Sequence, residues 1–240
     1  MTDQTIAALL TGRGNNTLKD KNILDCLGHP LLHYPAKAAR DSRLITAWYC
    51  SSDDEKILSA AEAEGYKRIV RPEALASPTA QHIDCILHGV AEMAKDGIEP
   101  EIVVVLLANN VTVKTQWIDD CVQMMLDDAS LSAVVPVYED NDHHPLRAKS
   151  VGTDGLLEMF CTGYTGKIST NRQDLPPCYF LAHNFWTLRT ATLWNHDNGQ
   201  PPWSFMGNRV KPYMIDHSID IHSSADLLLA EDWIKRCLQS

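Results

Sequence analysis

The sequence predicts an α/β protein of three layers, with helices on both faces of a mainly parallel, Rossmann-like sheet. Three observations carry that expectation. Strand-like and helix-like patterns alternate over the first 138 residues. Alternation of that kind builds parallel sheets through right-handed crossovers. The run Ile102–Leu107 (IVVVLL) is apolar throughout, as a strand buried on both faces must be. The first strand-like run, Ile6–Thr11, leads straight into a turn holding Gly12 and Gly14, and open α/β sheets bind ligands beyond the carboxyl ends of their strands.

The other elements follow in order. Residues 30–40 read as a helix and residues 44–51 as a β-rich run. Residues 53–64 read as a helix, with Asp53 as N-cap and Gly65 as its stop. A helix around residues 79–95 precedes the apolar strand, and Thr115–Asp127 is helical again. Residues 132–138 form the next strand. The pattern then changes. Residues 139–173 are polar, rich in His, Gly and Thr, and weakly periodic. Residues 179–188 read as a returning strand and residues 213–221 as a further one. Residues 226–238 form an amphipathic helix, opened by a capping-box-like Ser223-Ser224-Ala225-Asp226. Trp186, Trp194 and Trp203 read as core or interface contacts.

Composition narrows the function. The chain has 240 residues, 45% of them hydrophobic, which suits one domain over 1–240. Its net charge of −10 repels a nucleic-acid duplex. No apolar run approaches the ~20 residues of a membrane span. The N-terminus lacks the basic region of a signal peptide. The seven cysteines are scattered, without a CxxC, which reads as free thiols in a reducing cytoplasm.

The first turn is the strongest chemical signal. TGRGNNTLKDKN (11–22) concentrates Arg13, Lys19 and Lys21 in an otherwise acidic chain. Gly12 and Gly14 let the backbone bend and present N–H groups to an anion. A triphosphate needs such a cradle, because its charge must be offset before a nucleophile approaches phosphorus. The spacing matches neither the GxxxxGK[ST] nor the GxGxxG pattern.

Five collinear stretches then resemble the acylneuraminate cytidylyltransferases, or CMP-sialic acid synthetases. They are Arg13-Gly14 with Lys21-Asn22-Ile23, CSSDDEKI (50–57), RPEALASPTAQHID (71–84), HHPLR (143–147) with NRQDLP (171–176), and SIDIHSSADLLLAE (218–231). The resemblance implies a nucleotidyltransferase fold and a reaction between CTP and a 2-keto acidic sugar. Arg13, Lys19 and Lys21 would act on the triphosphate. Gly12, Gly14, Asn15, Asn22, Arg71, Ala80, Gln81 and His82 would complete the nucleotide site. His144, Arg147, Arg172 and Gln173 would face the sugar acid, where a guanidinium fork suits a carboxylate. Asp220 and His222 would hold Mg²⁺, with Mn²⁺ as a substitute. The excursion at 139–188 would serve the substrate and a homodimer.

The sequence departs from that family at four places. The loop is one residue short, with Asn15-Asn16-Thr17 where the family has Ser-Lys-Gly, so Lys19 is expected to take over a phosphate contact. His222 replaces a second aspartate; in a strand it would share a face with Asp220, and imidazole favours softer metals than Mg²⁺. Residues 108–112 replace a Gln-Pro-Thr-Ser-Pro loop. His183-Asn184 stand where an Asn-Gly is expected. The last two leave the acceptor open: a nonulosonic acid, another keto-deoxy sugar acid or a phosphonate. A non-catalytic nucleotide-binding homologue is the alternative from another class.

Overall fold

The computed structural model describes residues 4–14, 18–77, 79–195 and 198–238. Its elements run β1 (Ile6–Thr11), β2 (Asp25–Cys26), β3 (His29–Pro30), α1 (His33–Arg40), β4 (Ala47–Ser52), α2 (Glu55–Ala63), β5 (Lys67–Val70), α3 (His82–Lys95), β6 (Ile102–Leu107), α4 (Thr115–Asp127), β7 (Ala133–Glu139), β8 (Lys149–Val151), β9 (Leu157–Met159), β10 (Tyr179–Leu181), β11 (Phe185–Arg189), α5 (Thr190–Leu193), β12 (Val210–Met214) and α6 (Ser224–Cys237). One sheet orders its strands β5–β4–β1–β6–β11–β7, with β10 and β12 also pairing to β7. β1 pairs in parallel with β4 and β6, β4 with β5, and β7 with β12. β10 and β11 run antiparallel to their neighbours.

The three layers follow from the two-residue period of a strand. On β1, Ile6, Ala8 and Leu10 face α1, α2 and α4, packing with Ala36, Leu58, Ile118 and Val122. Ala7 and Leu9 face the other way, toward Ile86, Val90 and Met93 of α3. β6 divides in the same manner, Val104 to one side and Val103 and Val105 to the other. Full burial of each leucine is worth about 1.5–3 kcal/mol. α3 approaches β1 closely at Gly89, where a Cβ would lie 2.7 Å from Leu9 Cδ2. A third cluster ties α6, through Ala230, Trp233 and Ile234, to Cys26, Leu31 and Val111.

The structure corrects several expectations. The N-cap of α2 is Asp54, whose extended backbone lets its carboxylate accept the Lys56 N–H at 2.7 Å. Asp53 instead accepts the Gly14 N–H at 3.1 Å. The returning strand is broken in two, β10 and β11, around buried Ala182 and Asn184. The strand expected at 213–221 is β12, three residues earlier at its start, and the segment beyond Met214 runs without a ladder apart from one bridge at Asp220. β5, with no expectation behind it, forms the sheet edge. Trp186 is in the core, whereas Trp194 is exposed. Residues 140–178 carry the small β8–β9 hairpin and two short 3-10 helices, Pro145–Arg147 and Arg172–Asp174; the hairpin exposes Val151, Leu157 and, nearby, Leu156 and Phe160. Among the described residues no helix is long and apolar enough to cross a membrane.

The start of α6 agrees with the expected capping box: Ser223 Oγ accepts the Asp226 N–H and Asp226 Oδ2 accepts the Ser223 N–H at 2.8 Å. Replacing Ser223 by alanine is expected to destabilise the fold by about 1 kcal/mol, read as a lower urea midpoint at unchanged m-value.

Candidate active site

A cleft opens at the carboxyl ends of β1 and β6, walled by Thr11, Gly12 and Arg13 on one side and by Leu107 and Asn109 on the other. Lys21, Asn22, Arg71 and His82 complete its lining. Six of these nine residues were expected from the sequence to bind nucleotide. Besides the Asp53 carboxylate at Gly14, neutral groups hold the turn after β1. Gly12 N–H reaches the Ser51 carbonyl, Asn22 Nδ2 donates to the Arg13 carbonyl at 3.0 Å, and Arg13 donates to the Ser77 carbonyl at 3.1 Å. Gly14 packs so closely on Asp54 that a Cβ would sit 2.7 Å from its side chain. Asn22 is buried and its carbonyl anchors Leu32 N–H.

Arg71 is buried at the end of β5 and donates to the carbonyl and hydroxyl of Ser51 at 2.7 and 3.2 Å. Its partners are neutral, so its charge stays available to the cleft. Burial lowers the Lys21 pKa below its ordinary value; the Asp220 carboxylate opposes that shift and Arg13 reinforces it. An incoming polyanion would therefore meet three cations in one concave site.

His82 sits at the start of α3. Thr11 Oγ1 donates to the Leu106 carbonyl, which leaves it to accept from His82 Nε2 at 3.0 Å. Nε2 therefore carries the hydrogen of this contact. Burial, Arg71 and His183 depress its pKa to about 4. Trp186 packs against it with centroids 5.4 Å apart.

The far wall comes from a distant part of the chain. Asn110 is fully buried; its Nδ2 donates to the His183 carbonyl and to Ser218 Oγ, both at 2.9 Å. Thr112 Oγ1 in turn accepts Ile219 N–H at 3.1 Å. These bonds lay the 218–221 segment beside the cleft, where Asn110 and Asp220 form an antiparallel bridge. Asn109 Nδ2 donates to Asp220 Oδ1, and His222 Nε2 lies 3.1 Å from Asp220 Oδ2. Arg13, Lys21 and Asp220 thus belong to one site. The expected meeting of Asp220 and His222 occurs, in a turn rather than a strand. Among the described residues no three His, Cys, Asp or Glu side chains converge on a metal position. A lone carboxylate beside a basic cleft fits an ion such as Mg²⁺, which is commonly held by one or two carboxylates together with substrate phosphates.

Other expected residues lie elsewhere. Lys19, Ala80 and Gln81 flank the cleft without lining it; Lys19 and Gln81 are exposed. Asn15 falls outside the described residues. The four acceptor residues belong to the excursion. His144 is buried; its Nδ1 accepts Leu146 N–H and its Nε2 donates to the Pro176 carbonyl. Arg147 is exposed, and Arg172 pairs with Asp142 at 2.6 Å. Arg172 and Gln173 line a separate acidic hollow with Glu139, Asp140 and Asp142. Thr11, Leu107 and Asn109 were missed as site residues. Position after a buried strand was the available signal for the last two.

The depressed His82 pKa has a sign. The unfolded chain binds the proton from about pH 6.5 downward and the folded chain only near pH 4. The stability tied to the neutral ring is therefore complete above pH 6.5 and is lost as pH falls toward 4. His82→Gln is expected to shrink the difference between urea midpoints at pH 7 and pH 4.5.

Over 91 residues the chain is 31% identical to the N-acylneuraminate cytidylyltransferase of Escherichia coli O18:K1:H7 (strain RS218 / NMEC), covering 38% of this chain and 22% of that protein. Over 91 residues it is 29% identical to the pseudaminic acid cytidylyltransferase and UDP-2,4-diacetamido-2,4,6-trideoxy-beta-L-altropyranose hydrolase of Helicobacter pylori (strain ATCC 700392 / 26695), covering 38% of this chain and 18% of that protein. Each match thus spans about a fifth of the relative's length. The fold is shared with a CMP:2-keto-3-deoxy-manno-octonic acid synthetase solved with CTP, at TM-score 0.71, 15% identity, 97% of this chain and 99% of that one. It is shared too with the 4-diphosphocytidyl-2C-methyl-D-erythritol synthase of Anaerococcus prevotii DSM 20548, at TM-score 0.66, 12% identity and the same coverage. The cytidylyltransferase family model matches residues 11–153, more than half the chain and the stretch bearing the basic turn, Arg71 and His82, and the chain belongs to that family.

Proposed function

We propose that the chain transfers CMP from CTP to a nonulosonic (sialic-acid-like) or related 2-keto acid sugar and releases pyrophosphate. The observation that carries this reading is the convergence of Arg13, Lys21 and Arg71 with Asp220 about one cleft at the carboxyl ends of β1 and β6. In support, two of its relatives are named as cytidylyltransferases of N-acylneuraminate and pseudaminic acid.

In this reaction the anomeric hydroxyl oxygen attacks the α-phosphorus. A new O–P bond forms, the bond from the α-phosphorus to its bridging oxygen breaks, and the electron pair leaves on pyrophosphate. The hydroxyl proton goes to solvent. The chain's task is to position the reactants and offset charge. Arg13, Lys21 and the backbone at Gly12 would hold the triphosphate. Asn22, Arg71 and the neutral His82 would hold the nucleoside side. A Mg²⁺ or Mn²⁺ ion bound with CTP would be held through Asp220 and would supply a hard positive charge against phosphate oxygens.

We further propose a homodimer. In support, the β8–β9 hairpin exposes Val151 and Leu157 beside Leu156 and Phe160, an apolar set that a monomer leaves in water. Leu157→Glu is expected to halve the mass in solution and to raise KM for the acceptor more than for CTP.

Pyrophosphate release across a panel of nonulosonic acids, keto-deoxy sugar acids and phosphonates tests the acceptor. Turnover with a phosphonate and with no sugar acid would overturn the substrate class. At saturating ligand, about 100 times Kd, CTP is expected to stabilise the fold by about 2.7 kcal/mol, and ATP, GTP and UTP by less. Lys21→Ala is expected to weaken CTP by about tenfold or more, since a charge-assisted bond is worth about 1.5–3 kcal/mol. Equal thermal shifts for all four nucleotides, or an unaltered Lys21→Ala titration, would count against the reading.

A further inference from the structure

We propose that Asn109 is the positioning residue for Asp220, and through it for the divalent cation; the inference rests on the CTP reading above. Asn109 holds the Asp220 carboxylate with its side chain and the adjoining backbone with its carbonyl. Its side-chain Nδ2 donates to Asp220 Oδ1. Its backbone carbonyl accepts the N–H of Ile221, the next residue, at 3.3 Å. The neighbouring Asn110 bridges Asp220 through the main chain and is itself fully buried.

The other oxygen of Asp220 has a different environment. It faces His222, whose side chain is 70% exposed. A solvent-exposed imidazole exchanges readily with water and imposes little order. Asn109, lining the cleft itself, is the anchored side of the carboxylate. Residues that orient a metal-binding carboxylate by hydrogen bonding affect affinity without touching the ion. Asn109 thus fixes the carboxylate through Oδ1 and leaves Oδ2, which has only the exposed His222 beside it, free to turn to a phosphate-bound cation.

The probe is Mn²⁺, titrated by electron paramagnetic resonance into the CTP-saturated full chain. Asn109→Ala is expected to raise the Mn²⁺ dissociation constant about tenfold or more. The loss of Mn²⁺ affinity is expected to exceed any change in the thermal shift given by CTP in EDTA, which reads the nucleotide contacts of the cleft wall without the ion. In an Asp220→Asn background the same substitution is expected to add no further loss of Mn²⁺, since its only route to the ion has gone. Unchanged Mn²⁺ affinity in Asn109→Ala, or a full additive loss on top of Asp220→Asn, would overturn the proposal. If Asn109→Ala fails to fold by circular dichroism, Asn109→Ser carries the same comparison. A wild-type chain that binds no CTP sinks the functional reading; a wild-type chain that binds Mn²⁺ and CTP, matched by its Asn109 variant, sinks this inference alone.

Discussion

The site depends on a tie between two segments about 110 residues apart in sequence. Asn110 stands just past the end of β6, fully buried, and its carboxamide binds the His183 carbonyl and Ser218 while accepting Thr112 N–H at 3.0 Å. A buried carboxamide left unsatisfied costs about 1–3 kcal/mol per group, so this network has one good arrangement. In it, the 218–221 segment lies against the loop after β6, with Asp220 opposite the turn after β1. Without that tie, Asp220 would belong to a loose connection between β12 and α6, and the basic turn would face no carboxylate. Ile219 and Ile221 add apolar burial beneath the same segment, so the polar tie and the hydrophobic cluster favour one placement.

Electrostatics then separates the cleft from the rest of the surface. The chain is acidic overall, and elsewhere its cations are largely spent on carboxylates, as Arg68 is on Glu55 and Glu62 and Lys67 on Asp96. In the cleft, Arg71 is held by Ser51 and Arg13 reaches the Ser77 carbonyl. At Arg71 the Ser51 carbonyl orients the guanidinium without cancelling its charge. Lys21 feels both Arg13 and Asp220, with burial the larger influence on it. Partial desolvation strengthens every charge–charge interaction there. The arrangement stays tolerable because the cations are few and one carboxylate is near.

Much of this was legible in the sequence, for identifiable reasons. β1, β6 and α4 have the expected bounds because each is buried along a single period, two or 3.6 residues, with no competing signal. The basic turn was legible because charge stands out in an apolar context. β5 was not, since Lys67–Val70 is a short edge strand with only Ile69 fully buried. Asp53 and Asp54 offer the same capping chemistry, and only the approach of Gly14 assigns one carboxylate to the turn and the other to α2. The 108–112 loop looked like a loss of acceptor contacts. Asn110 and Thr112 in fact turn inward, Asn110 to the His183 carbonyl and Thr112 to the Asn184 carboxamide; no local pattern reveals pairings with residues more than 70 positions away.

The two halves of the proposed reaction differ in how complete one chain is. On the nucleotide side, every cation arises within two strand spacings of β1. The excursion leaves from the end of β7, and β6 and β11 stand between β7 and β1. Strands lie about 4.8 Å apart, so three spacings put the base of the excursion roughly 14 Å from β1. Reacting atoms must come within about 3–3.5 Å. Inside its own chain, moreover, His144 is committed to Leu146 and Pro176, and Arg172 to Asp142. These side chains tie the excursion to itself and do not line the cleft. A second copy, brought in over the apolar hairpin that water otherwise covers, is the economical way to set a guanidinium against the acceptor while the first copy keeps the phosphates. Such a division would let the nucleotide bind to a single subunit and would make acceptor binding depend on the pair.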